Sequence, residues 1–260
     1  QLQSSAASDV YKRQYLDTWN TINHEFLFTI LFSGIIGIFL GDTLLFIALQ
    51  KIGPRRNNIL FSLAAPFTVI LNIIFLNEIM STINLIGCII VFCGVVIAIA
   101  YGNSKDKNHR WEVVEGNIYL GVSIGIGAAL CQAIGLIMMK PILTMGADPI
   151  ASAALRTAIS FVFLAFTFFL NYKKFNTKTN LSFKIVGQSI LSGFLGMALG
   201  MSLLLIALKY ADAGIVATLS STSPIMILFL IWLLTKKIPT IGAWIGTVLA
   251  IIGSGLIFIY

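Results

Sequence analysis

One stretch of membrane-type sequence occurs twice in this 260-residue chain. Residues 33–49 read SGIIGIFLGDTLLFIAL and residues 192–208 read SGFLGMALGMSLLLIAL, agreeing without a gap at 10 of 17 positions. The glycine ladder Gly34, Gly37, Gly41 recurs as Gly193, Gly196, Gly200, an offset of 159 residues (Ser33 against Ser192). Farther along, Pro66 answers Pro224, and Gly87 and Gly94 answer Gly246 and Gly253, so the offset drifts by only one residue. An internal repeat written in apolar helices points to a carrier assembled from two related halves.

Composition agrees with a membrane setting. Hydrophobic residues make up 58% of the chain, charged residues only 10%, and mean hydropathy is +0.94, values that no soluble domain of this length carries. Roughly 20 apolar residues are needed to cross the hydrocarbon. Eight runs of that kind are predicted, at about 26–49, 57–77, 83–101, 117–140, 149–171, 184–208, 213–235 and 239–260. A transmembrane β-barrel would instead alternate every second residue in short segments. The expected fold class is therefore all-α, a polytopic bundle of membrane helices. Cys88, Cys93 and Cys131 fall inside these spans and read as small packing residues. The formal charge of +7 sits mainly in loops, which assigns it to membrane orientation and not to nucleic acid.

Four segments follow. Residues 1–25 form a polar leader, of which 1–14 read as foreign to the gene product. Residues 26–101 hold three spans, 102–116 a charged linker, and 117–260 five spans. The first three spans match the last three of the second half, so the expected design is 5+5 with its first two helices absent. The duplicated helices are spans one and six, separated by five crossings. An odd number of crossings reverses direction, giving inverted repeats. Twelve basic residues, from Lys51 to Lys237, follow the odd-numbered spans, against Lys140 and Lys209 on the other side, with Lys12 and Arg13 in the leader. The crowded side is expected to be cytoplasmic.

The run GIFLGDTLLFIALQKIGPRRNNILFSLAAPFTVILNIIFLNE (residues 37–78) resembles the third and fourth helices of an EamA-type domain, the repeat unit of the drug/metabolite transporter superfamily. INLIGCIIVFCGVVIAIAY (83–101) resembles its closing helix, and DPIASAALRTAISFVFLAF (148–166) its second helix, with Arg156 at the usual arginine position. The resemblance implies ten helices in two units, secondary transport and export of small metabolites. The chain departs from the pattern in lacking two N-terminal helices and in carrying Lys236 or Lys237 where the first half has Glu78. Its charge bias also opposes the cytoplasmic termini usual in the family.

Asp42 is the sharpest candidate for chemistry, because an ionised carboxylate deep in a span costs roughly 2.5–3.5 kcal/mol on the insertion scale. It reads equally as a cavity carboxylate, binding a cationic group or carrying a proton, and as a packing hydrogen bond. Its counterpart in the second copy is Met201, so a symmetric relay is not expected. Arg156 reads first as an interfacial or structural ion-pair residue, and second as a partner for a substrate anion. Lys140, before Pro141, is expected to end its span as an interfacial anchor. Pro66, with Ser62 before it, and Pro224, with Ser220, Ser221, Thr222 and Ser223 before it, should kink matched spans beside hydroxyls that line a cavity. Asn72 and Gln132 join that lining set. Gly37/Gly41, Gly196/Gly200, Gly121/Gly125 and Gly242/Gly246 read as close-approach pairs for helix packing.

Enzyme signatures are absent from the pattern: His24 and His109 lie outside the spans, and no nucleophile elbow or phosphate-binding loop is present. No cofactor or metal is expected. The expected partners are the lipid bilayer of a plasma or inner membrane, a small-molecule substrate and a coupling proton. A membrane-embedded enzyme on lipid-linked substrates, or a non-transporting fragment, stands as the alternative to a secondary exporter working by alternating access.

Overall fold

A computed structural model describes residues 21–76, 81–101, 118–170, 182–211, 213–220, 233 and 240–259. The leader up to Asn20, the linker and the Ser221–Pro224 segment expected to kink lie outside these residues. Every regular element among them is helical: α1 (His24–Gly34), a π turn at Ile35–Leu40, α2 (Gly41–Phe61), α3 (Ala64–Leu76), α4 (Thr82–Tyr101) and α5 (Ile118–Thr144). Then come α6 (Pro149–Leu170), α7 (Phe183–Gly193), a second π turn at Phe194–Gly200, α8 (Met201–Tyr210), α9 (Ala213–Ser220) and α10 (Ile241–Ile259). Among the described residues, five helical stretches are long and apolar enough to cross a membrane: His24–Pro54, Arg56–Phe75, Ile118–Thr144, Pro149–Leu170 and Phe183–Tyr210. Trp244–Leu256 is a shorter apolar helix.

The two π turns occupy matched places. Ile35 and Phe194 are separated by the repeat offset, so the duplicated sequence makes the same irregular turn in both copies. Nothing in the apolar pattern signals it. Gly53, at φ 80°, a backbone state costly for any residue with a Cβ, breaks α2 just before Pro54, where the first apolar stretch ends.

The chain divides into two compact units, each drawing on both sequence halves: Gln1–Ile35 with Met138–Tyr210, and Ile36–Ile137 with Ala211–Tyr260. In the first unit, α6 packs against α1 and against α8. It starts sharply because Asp148 Oδ1 accepts the amides of Ile150 and Ala151, both at 2.9 Å, with Pro149 in the first turn. Gly146, at φ 111°, closes the preceding turn. Lys140 does not end its helix as expected; α5 runs through Pro141 to Thr144. Neighbouring groups in a packed bundle can absorb the amide that a proline lacks. The Lys140 ammonium donates to the Leu208 carbonyl at 3.2 Å, tying α5 to α8.

The second unit has an apolar core of Ala48, Ile52, Ile59, Leu60, Leu63, Ala64, Val69, Val91 and Ala129. Its glycines do what their spacing predicts. Gly121 touches Ile52, and a Cβ on Gly125 would lie 2.8 Å from Leu60. The tightest seam joins α4 to α10: a Cβ on Gly94 would lie 2.6 Å from the Ala250 nitrogen and the Gly246 oxygen. One on Gly253 would lie 2.6 Å from the Val91 nitrogen and 2.7 Å from the Gly87 oxygen. The contact is its own counterpart under the repeat, since Gly87, Val91 and Gly94 answer Gly246, Ala250 and Gly253. Late residues of α4 meet early residues of α10, and early meet late, so the two helices run antiparallel.

Candidate functional site

Most of the cavity candidates lie in the second unit. Asp42 stands two residues after the first π turn and is half-buried, with Oδ2 enclosed. A π turn widens the helix by one residue and misaligns its backbone groups, which is why such turns recur at functional sites. The Thr43 hydroxyl donates to the Phe39 carbonyl at 2.5 Å, satisfying one of those groups. Beside them α5 crosses closely: a Cβ on Gly41 would sit 3.5 Å from Cys131 Cβ. Asp42 and Gln132 are each one residue from that crossing. Gln132 is half-buried.

Pro66 acts one turn earlier than its own position. The helix breaks at Ser62 and Leu63, where the amides of Leu63 and Ala65 bond three residues back, to Leu60 and Ser62. Lacking an amide, Pro66 cannot bond the Ser62 carbonyl in the α-helical manner. The Ser62 hydroxyl is buried and donates to the Ile59 carbonyl at 2.6 Å, repairing the backbone. Thr68 does the same for Ala64 at 2.7 Å. Asn72 is buried one turn farther along. Ser220 is exposed at the end of α9 and donates to Val216 at 2.9 Å.

Arg156 belongs to the first unit and is 0% exposed, so it does not snorkel to an interface. A long polar side chain this enclosed must be held from several directions. Its Nη1 donates to Met201 Sδ at 3.9 Å, a soft and weak acceptor. Met201 is the residue that answers Asp42, so the second copy offers a thioether where the first offers a carboxylate. Ser152, Arg156 and Ser160 stand four residues apart on one face of α6, all buried. Ser160 Oγ lies 2.9 Å from the Gly34 carbonyl and 2.7 Å from that of Arg156. Gly34 allows this closeness, because a Cβ there would lie 2.8 Å from Arg156 O and 2.7 Å from Ile159 Cγ2.

Sequence reasoning missed Ser152 and Ser160, although their spacing of four from Arg156 carried the signal. It also missed Asn57, whose Nδ2 donates to the Leu45 carbonyl at 3.2 Å across the Gly53–Pro54 turn, and the burial of Arg56 beside it. Arg56 had read as a loop residue and Asn57 only as the first residue of a span.

The family model for the EamA-like transporter family matches residues 10–100 and 119–259, most of the chain in two successive copies. The chain belongs to the EamA-like transporter family. An uncharacterized transporter of Synechocystis sp., sll1164, is 24% identical over 235 residues, covering 90% of this chain. The chain spans 65% of that relative's length. A crystal structure whose description names no function superposes with TM-score 0.65 at 16% identity, covering 86% of this chain and 74% of the other. That likeness concerns the fold alone. An EamA-like chain with several apolar helices is an integral membrane protein, and its family points to transport and away from catalysis.

Proposed function

We propose that the protein is a secondary active transporter that exports a small organic metabolite by alternating access, built as two inverted repeats with eight membrane spans in this chain. The observation that carries the reading is the repeated π turn, which in the first copy stands two residues before the in-span carboxylate Asp42. Irregular backbone inside a membrane helix suits a lined cavity, and repeat-built carriers bind substrate at such interruptions. The antiparallel seam between α4 and α10 supports the inverted arrangement. Asp42, with Gln132 and Asn72, supplies the polar groups for a cationic or hydrogen-bonding solute or for a coupling proton. Arg156 serves as the residue that orders α6 between the two copies of the duplicated helix.

The test is solute flux in proteoliposomes. Purified protein, folded by thermal melting, should move at least one radiolabelled metabolite from a panel of amines, amino acids and nucleosides under an imposed proton gradient. Asp42→Asn should abolish the gradient dependence. Folded protein that moves no solute under any gradient overturns the reading.

A further inference from the structure

The polypeptide passes between its two compact units three times. One passage, from Tyr210 to Ala211, lies between α8 and α9 and interrupts no helix. The other two fall inside continuous apolar helices. His24–Pro54 changes unit between Ile35 and Ile36, and Ile118–Thr144 changes unit between Ile137 and Met138. Sharp bends in long helices occur at prolines, at π-bulges or at inserted groups, so a helix shared by two moving bodies needs one of these where it crosses.

Each shared helix carries one at the crossing. Ile35 is the first residue of the first π turn, Ile35–Leu40. The wider turn has one residue to spare, which lets the helix bend there without coming apart. In α5 the weak point is set by Pro141, which lacks the amide that would bond the carbonyl four residues back. That carbonyl belongs to Ile137, the last residue before the chain changes unit. Two irregularities of different chemical origin thus mark the two crossings.

On either side of a crossing the helix is fastened to its own unit. Before the π turn, the Gly34 carbonyl lies 2.9 Å from the Ser160 hydroxyl; after it, Gly41 lies against α5 beside Ala128 and Cys131. The stretch between these fastenings is the π turn itself. On α5, Gly121 and Gly125 meet Ile52 and Leu60 ahead of the crossing, and Lys140 holds the Leu208 carbonyl at 3.2 Å beyond it. The second π turn, Phe194–Gly200, is the contrast: it lies wholly within one unit and joins no two bodies.

We propose that Ile35–Leu40 and Ile137–Pro141 are the two hinges on which the units move. Each absorbs the change of backbone angle while its membrane helix stays continuous. The proposal rests on the alternating-access reading for the use of that motion, but its test needs no solute.

Spin labels go on Ser189→Cys and Ser123→Cys, exposed positions in different units, in the full 260-residue chain in nanodiscs with Cys88, Cys93 and Cys131 replaced by alanine. Ala158→Cys with Ser189→Cys is the control pair within one unit. By double electron–electron resonance, the between-unit distances should spread at least about twice as widely as the control distances. Pro141→Ala, which restores an amide for Ile137, should narrow that spread. Deletion of Leu40, which removes the extra residue of the π turn, should narrow it too. Deletion of Leu199, the matching residue of the second π turn, should not. Equal widths for the two pairs, a spread unaltered by either folded hinge variant, or equal narrowing by the Leu199 deletion would overturn the proposal. If melting shows that the Leu40 deletion does not fold, Pro141→Ala decides alone. Hinge motion without solute flux leaves the hinges standing and counts against transport, whereas flux with one narrow between-unit distance does the reverse.

Discussion

The two copies of the duplicated helix share 10 of 17 residues and one π turn, yet their surroundings differ at every matched glycine. In the first copy Gly34 is pressed against α6 and Gly41 against α5; in the second, Gly193 and Gly196 face open space. Similar local sequence therefore produces the same backbone irregularity but not the same burial. The π turn is local, set within a few residues. Burial depends on which helix the rest of the chain brings alongside.

The comparison can be broken most sharply at its glycines. Gly34→Leu should cost about 3 kcal/mol by forcing a side chain into the α6 backbone, whereas Gly193→Leu in this chain should cost nothing measurable by thermal melting in detergent. Equal losses would mean the second copy is also covered. The seam between α4 and α10 sharpens the same point for helices that do find each other. Gly94→Ala and Gly253→Ala should each cost about 2 kcal/mol, and the two costs should match because the contact is reciprocal. A large inequality would break the symmetry.

Asp42 against Met201 is the functional version. Asp42→Asn should slow proton-driven flux by about tenfold or more, equivalent to about 1.4 kcal/mol of barrier, with little change in melting. Met201→Leu should change flux by less than that. A smaller effect is expected at Ser160, where Ser160→Ala removes one interhelical hydrogen bond worth about 0.6 kcal/mol. Ser189→Ala on the bare helix should leave melting unmoved.

Much of the architecture was readable from residues alone, and for reasons that can be named. Glycines spaced for close approach mark the contact surfaces of membrane helices, which is why Gly121 and Gly125 appear where their pattern placed them. By contrast, Gly196 of the Gly196/Gly200 pair meets nothing within 4 Å, and the Gly94/Gly253 contact had been read only as a repeat correspondence. The cap that Asp148 places on α6 went unread, although a carboxylate directly before a proline is a helix-start signal. The π turns were invisible, because the extra residue in a π turn leaves no mark on a sequence apolar on all sides. Pro141 misled for a related reason: the rule that proline ends helices is calibrated in water, and a bundle interior relaxes it. Arg156 was found, but its place was not. A charge seven residues into a span is compatible with either snorkelling or enclosure, and Ser152 and Ser160 in step with it were the clue to enclosure.

The glycine seam has a mechanical meaning. Backbones in contact at both ends of one crossing cannot slide along each other without two simultaneous collisions, nor twist without opening both. Helices α4 and α10 are therefore an axle of fixed pitch, and any stroke the protein makes must carry the pair as a single piece.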